Sequence, residues 1–213
     1  SDQTIERKGP FVEFVDAPQP DSQTARNRLQ TLGYSDSIIE ALETELFGGK
    51  SGSLYTHQAE TIEAIETTTD DVMLTVPTAT GKTESFFLPV LNTCDTRTRD
   101  GMKALILYPM KTLAVDQLNR FISYLYQINR TRNESDQITI GIWDGDTPTD
   151  VGSYTREIES GSYVRGLEDP VSGEKLTIDE DGIVTGRQRD YPWLKATRAR
   201  VKDGADILST TPE

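Results

Sequence analysis

From residue 72 onward the chain alternates short apolar runs with longer amphipathic stretches. Val72–Val76 precedes Lys82–Cys94, Ala104–Tyr108 precedes Lys111–Ile128, and the runs Ile138–Trp143 and Asp206–Thr210 follow. Strand-length apolar runs separated by helix-length segments predict a parallel sheet with crossover helices. Within Lys111–Ile128, the residues Leu113, Leu118, Phe121, Leu125 and Ile128 fall on one stripe of 3.6-residue period. Pro89 lies inside the first crossover helix and is expected to kink it, since its ring removes a backbone donor. Three short helices are predicted ahead of the sheet. Thr24–Leu32 is closed by Gly33, and a Ser37/Glu40 capping box opens a helix carrying Ile38, Ile39, Leu42 and Leu46 that Gly48-Gly49 stops. The third runs Thr56–Glu66.

Two segments fall outside this rhythm. The first twenty residues, with Pro10, Pro18 and Pro20, read as an extended arm. The stretch between Thr147 and Ala205 is too long for an ordinary loop of an α/β domain. It carries a hairpin signal, Lys175–Ile178 and Ile183–Thr185 joined through Asp181-Gly182, and a helix predicted over Trp193–Asp203 that Gly204 closes. The organisation expected is an extended arm and helical extension over residues 1–53, then an α/β domain over 54–213 with a small β meander inserted at about 150–204.

Charge complicates any functional reading. The 213 residues carry 35 acids against 22 bases, a formal net charge of -13, which taken alone argues against a polyanionic partner. The acids are spread along the whole chain, and the bases comprise only 8 lysines against 14 arginines. That distribution suits a salt-adapted protein, in which screening shortens self-repulsion to a few ångströms. Local charge therefore has to decide. Arg187, Arg189, Lys195, Arg198, Arg200 and Lys202 surround Tyr191 and Trp193, with Asp190 the one acid among them. Such a patch reads equally as a nucleic-acid contact and as a solvated basic helix.

The sole cysteine, Cys94, excludes an internal disulfide and reads as a buried apolar side chain. The sole histidine, His57, leaves no ligand set for structural zinc and reads as a hydrogen-bonding residue at a helix start. Asp169-Pro170-Val171-Ser172-Gly173 has the outline of a zinc-knuckle turn with Asp169 and Ser172 in place of cysteines, so a metal-free turn is expected. The apolar runs are too short for a membrane span and the first residues lack a leader pattern, which predicts a cytoplasmic protein.

Chemistry concentrates where Val72–Val76 gives way to Pro77-Thr78-Ala79-Thr80-Gly81-Lys82-Thr83 and then a helix. Strand, small-residue loop, Gly-Lys-Thr and helix are the context of a phosphate-binding loop, with Val76 where the general pattern has its first glycine. Backbone N–H groups of residues 79–83 would cradle phosphates at the positive end of the helix. Lys82 would neutralise phosphate oxygens and the Thr83 hydroxyl would ligate magnesium. Upstream, Gln58 at a helix start carries an amide able to donate to and accept from an adenine edge.

Five segments, in order, resemble successive motifs of superfamily 2 helicases. They are Tyr55-Thr56-His57-Gln58; Pro77 to Glu84; Leu107-Tyr108-Pro109-Met110-Lys111-Thr112-Leu113-Ala114-Val115-Asp116-Gln117; Asp144-Gly145-Asp146-Thr147-Pro148; and Leu208-Ser209-Thr210-Thr211-Pro212-Glu213. The resemblance is to the DEAD/DEAH-box-like branch that includes RecQ-related repair and antiphage-defence helicases. It implies a RecA-like P-loop NTPase domain of α/β class that binds ATP and magnesium and contacts nucleic acid, DNA by this branch. Gln58 would then recognise adenine, and Ala79, Thr80, Gly81, Lys82 and Thr83 would hold the nucleotide, with Lys82 and Thr83 also catalytic. Pro109, Lys111 and Thr112, then Gly145, Asp146 and Thr147, then Thr211 and Pro212 would line the nucleic-acid track.

The last of these motifs ends at Glu213, before the Asp-Glu box and the second RecA-like domain that the resemblance implies, so the chain by itself is expected to bind ATP without hydrolysing it. Two rival readings use the same loop: a P-loop phosphotransferase, which would need an acceptor pocket, and a non-catalytic scaffold subunit of a defence or repair complex.

Overall fold

The computed structural model describes residues 17–77, 80–97, 101–152, 164 and 166–212. The sheet that carries the loops of interest has four parallel strands: β1 (Ala104–Leu107), β2 (Ile140–Trp143), β6 (Leu194–Lys195) and β7 (Ile207–Thr210), ordered β1-β7-β2-β6. Ala104 pairs with Ile207 and Leu107 with Thr210 in register, and Ile140 pairs with Ile207 on the other side. The carboxyl ends of β1, β7 and β2 therefore lie level.

Helices α1 (Ala25–Thr31), α2 (Asp36–Phe47), α3 (Thr56–Thr67), α4 (Lys82–Thr96) and α5 (Lys111–Asn129) share one continuous apolar cluster with the strands. Its centre is Phe87 of α4 stacked on Phe121 of α5, with ring centroids 3.5 Å apart. The other sheet face carries α6 (Arg198–Lys202), and Gly141 is what lets it approach. A Cβ there would sit 3.1 Å from both Val201 methyl carbons. In-register pairing places Leu105 and Leu107 on the Gly141 side, where they are exposed. No helix among the described residues is long and apolar enough to cross a membrane.

The expected parallel sheet and its crossover helices are present, with three departures. Val72–Val76 forms no strand. Met73 is 91% exposed, and no described residue pairs with the segment. An apolar run becomes a strand only where a partner edge completes its hydrogen bonds. The helix expected to start at Ser37 starts at Asp36, and the Ser37 hydroxyl meets Ser35 Oγ at 3.1 Å instead of capping. Trp193–Asp203 is not one helix: Leu194-Lys195 joins the free edge of β2 as β6, and helix begins only after Thr197, whose hydroxyl accepts from Arg200 N–H. Of the expected arm only the last residues are described. Residues 1–16 lie outside the described part, while 17–21 run beside 54–56, with Thr56 N–H donating to Gln19 O at 2.9 Å.

In the insert the predicted hairpin is found as β3 (Thr177–Ile178) and β4 (Val184–Thr185), to which β5 (Asp190–Tyr191) adds antiparallel. Asp169 Oδ1 accepts from the N–H groups of Val171 and Ser172, so the knuckle-like turn is closed by a carboxylate. Asn119 of α5 pins the insert down, donating to Gly166 O at 3.2 Å and accepting from Glu168 N–H at 3.0 Å.

At the opposite sheet end, Asp206 ties three strands together. It pairs with Lys103 just before β1 and accepts from Thr139 N–H at 2.8 Å and Thr139 Oγ1 at 2.9 Å just before β2. Burial works against its charge, yet the bonds from Lys103 and Thr139 outweigh that and hold the carboxyl below the ordinary range. A depressed folded-state pKa contributes stability above the ordinary carboxylate value and loses it as pH falls below about 4. Asp206→Asn should therefore cost about 2 kcal/mol at neutral pH, and the gap to wild type should close in urea unfolding as pH drops from 5 to 3.

Candidate nucleotide and nucleic-acid site

Gly81 ends the loop in the left-handed region, φ 77°, and the chain enters α4 at Lys82. A Cβ on Gly81 would meet Gln58 Nε2 at 2.5 Å, so only glycine fits this approach. The loop is braced from α3: His57 Nε2 lies 2.9 Å from Thr80 O, and since a carbonyl can only accept, that nitrogen carries the proton. Gln58 is 2% exposed. Its Oε1 accepts from Tyr55 N–H at 2.8 Å and its Nε2 donates to Gly81 O at 2.7 Å.

The Gln58 amide is turned into the protein at both ends, bridging α3 to the phosphate loop. Thr80 Oγ1 donates to Pro77 O at 2.8 Å, closing the same turn. Thr78 and Ala79 lie outside the described residues.

Lys82 occupies the first position of α4, and no carboxylate pairs with it among the described residues. An ammonium at the positive end of a fifteen-residue helix, unpaired in so acidic a chain, calls for an anion. Next to it Thr83 Oγ1 donates to Gln117 Oε1 at 2.6 Å and accepts from Arg120 Nη1 at 3.2 Å. Glu84 is buried beneath, one oxygen held by Arg120 and the other without a partner. The glycine cradle, unpaired lysine and hydroxyl with a spare lone pair fit a magnesium-bound nucleotide phosphate.

The three expected track loops do meet at one sheet edge. Pro109 leads β1 into α5, Gly145, Asp146 and Thr147 follow β2, and Thr211 and Pro212 follow β7. Lys111 Nζ reaches Asp146 Oδ2 at 2.8 Å, and Lys111, Thr112 and Asp146 line one open hollow. Behind it Lys111, Thr147 and Thr211 border an apolar cavity of about 40 Å³, roofed by Val164 and Leu167 of the insert. That space is far too small for a nucleotide, so a strand would lie across the loops, not enter them.

The basic patch behaves differently. Arg187 pairs with Glu174 at 2.9 Å, Arg189 lies over the Tyr126 ring, Arg198 lies over Trp143 at 5.4 Å, and Lys195 donates to Gly204 O. Tyr191 and Trp193 are buried, which removes them as stacking platforms. The patch fastens the insert. Cys94 is buried as expected, and burial, with Asp206 nearby, pushes its thiol up to about 12.

Residues 55–148 match the family model of the DEAD/DEAH box helicases. The matched stretch runs from α3 through the phosphate loop, β1, α5 and β2 to the Gly145–Thr147 loop, and it supports a helicase-like superfamily 2 domain of the ATP-binding kind. A comparison with curated proteins finds none that matches the chain.

Sequence reasoning missed Gln117 and Arg120 as parts of this site. Both lie on the polar side of α5, where a helix read alone shows only solvated residues.

Proposed function

We propose that this chain is the N-terminal ATP- and nucleic-acid-binding domain of an ATP-dependent superfamily 2 DNA helicase or translocase, with residues 54–213 as that domain and 1–53 as its extension. The observation that carries the reading is Lys82, without a carboxylate partner among the described residues, at the start of α4 beside a left-handed Gly81, with the adjacent Thr83 bonded to Gln117 of α5, the helix that follows the Pro109 loop. The family match over residues 55–148, which takes in Lys82 and Lys111, supports it.

In this reading the N-terminal N–H groups of α4 and the Lys82 ammonium bind the phosphates, and Gln58 and His57 hold the loop in shape. Magnesium, when bound, supplies countercharge to the phosphate oxygens, and the Thr83 hydroxyl holds it. Lys111 and Thr112 contact the nucleic-acid backbone from the α5 N-terminus. Engaging a phosphate requires Lys111 to leave Asp146, an exposed pair whose loss costs at most about 1 kcal/mol. Contacts to backbone alone would make binding independent of sequence.

Neither nearby acid is proposed as the base: Glu84 is sealed against Arg120, and Asp146 belongs to the track loop beside Lys111. The carboxylates for hydrolysis and a second RecA-like domain are proposed to lie outside these 213 residues. The acidity is proposed as salt adaptation, checked by a thermal midpoint that keeps rising above about 1 M potassium chloride.

The test is a titration of labelled ATP and of single-stranded DNA and RNA into the purified chain, with phosphate release followed in parallel. ATP binding, DNA binding whose log affinity falls with log salt at a slope of about -2 to -3, and phosphate release at background are expected. Robust turnover would overturn the assignment of roles. Absence of ATP binding would favour the scaffold.

A further inference from the structure

The residue that orients the Thr83 hydroxyl lies on a different helix from the phosphate loop. Gln117 is on α5, 34 residues along the chain, and its Oε1 takes the Thr83 proton at 2.6 Å. The direction of its amide is fixed from the other end: Nε2 lies 3.0 Å from Asp116 Oδ2, which can only accept, so Oε1 is the atom on Thr83. Arg120 Nη1 occupies one lone pair of the same hydroxyl at 3.2 Å. A hydroxyl has one proton and two lone pairs. With the proton directed at Gln117 and one pair at Arg120, the second lone pair is the one left to a metal.

We propose that Gln117 is a positioning residue for magnesium–nucleotide binding: by accepting the Thr83 proton it aims the oxygen's remaining lone pair at the cation. This rests on the reading of Gly81-Lys82-Thr83 as a phosphate-binding loop. Arg120, anchored on the buried Glu84, holds the Thr83 oxygen from α5 as well, so the helix that begins with Lys111 and Thr112 is tied at its second turn to the metal end of the nucleotide site. Nucleic acid drawn to the first turn of α5 and magnesium drawn to Thr83 thus pull on one rigid element.

The experiment measures affinity for labelled ATP with magnesium and with EDTA, in wild type, Gln117→Leu, Gln117→Glu and Lys82→Ala, alongside thermal midpoints. Wild type is expected to bind tighter with magnesium. Gln117→Leu should lose about tenfold of that magnesium-dependent gain and leave the EDTA affinity unchanged, while Gln117→Glu, whose carboxylate accepts the same proton, should restore it. Equal loss in magnesium and EDTA, a wild type indifferent to magnesium, or failure of Gln117→Glu to restore the gain would overturn the inference. If Lys82→Ala leaves ATP affinity intact, it is the phosphate-loop reading that fails. If Lys82→Ala abolishes binding while Gln117→Leu keeps the full magnesium gain, only the role of Gln117 falls.

Discussion

Lys82→Ala should weaken ATP binding by about 100-fold, the roughly 3 kcal/mol of a charge-assisted contact made at a site that excludes water on one side. The side chain sits where backbone donors and helix dipole already favour an anion, and no carboxylate of the described chain pairs with it. Its removal costs no internal ion pair, so the thermal midpoint without ligand should stay within about 1 °C of wild type. That split between ligand affinity and stability marks a binding residue. Gln58→Ala should behave oppositely. Its two hydrogen bonds brace the loop and neither faces a base, so the variant should lose ATP and GTP affinity alike and unfold earlier. Loss of ATP alone would return adenine recognition to Gln58.

The elements that sequence periodicity located are those whose burial follows from local pattern. The α5 stripe is one: Leu118, Phe121, Leu125 and Ile128 are buried in the core, while Leu113 in the first turn is exposed. β1, β2 and β7 are strands as expected, because each apolar run finds a neighbouring strand, although Leu105 and Leu107 of β1 remain exposed. Val72–Val76 has the same composition and no ladder, since hydrophobicity specifies a strand's content but not the presence of a partner edge. Leu194-Lys195 shows the converse. Helical spacing around Trp193 yielded to an available edge on β2.

In the site, position was legible and bonding was not. Spacing grouped Gly81, Lys82 and Thr83, the resemblance to helicase motifs added Gln58, and loops at parallel strand ends placed Lys111, Thr147 and Thr211 together. That the Gln58 amide is spent on Tyr55 and Gly81 depends on how α3 packs against the loop, a contact across 23 residues with no periodic signature. The same holds for the bonds from α5 to Thr83 and Glu84. Polar residues on a helix look alike in sequence whether they face water or a neighbouring active site.

Arg120→Leu should be the most destabilising single change at this site. Glu84 is 1% exposed, and Arg120 is the one described cation that pairs with it. Removing one partner of a buried pair strands an uncompensated charge, at about 3–5 kcal/mol when both partners are enclosed. Arg120 is 41% exposed, so solvent already screens part of the attraction. About 2–3 kcal/mol is expected, a fall of some 5–10 °C in midpoint for a chain of this length. Adding Glu84→Gln should recover most of it, because the neutral amide can be buried without a cation. Urea unfolding of the four proteins closes the cycle. If the double variant is as unstable as Arg120→Leu alone, the arginine contributes by packing along α5 and not by compensating Glu84.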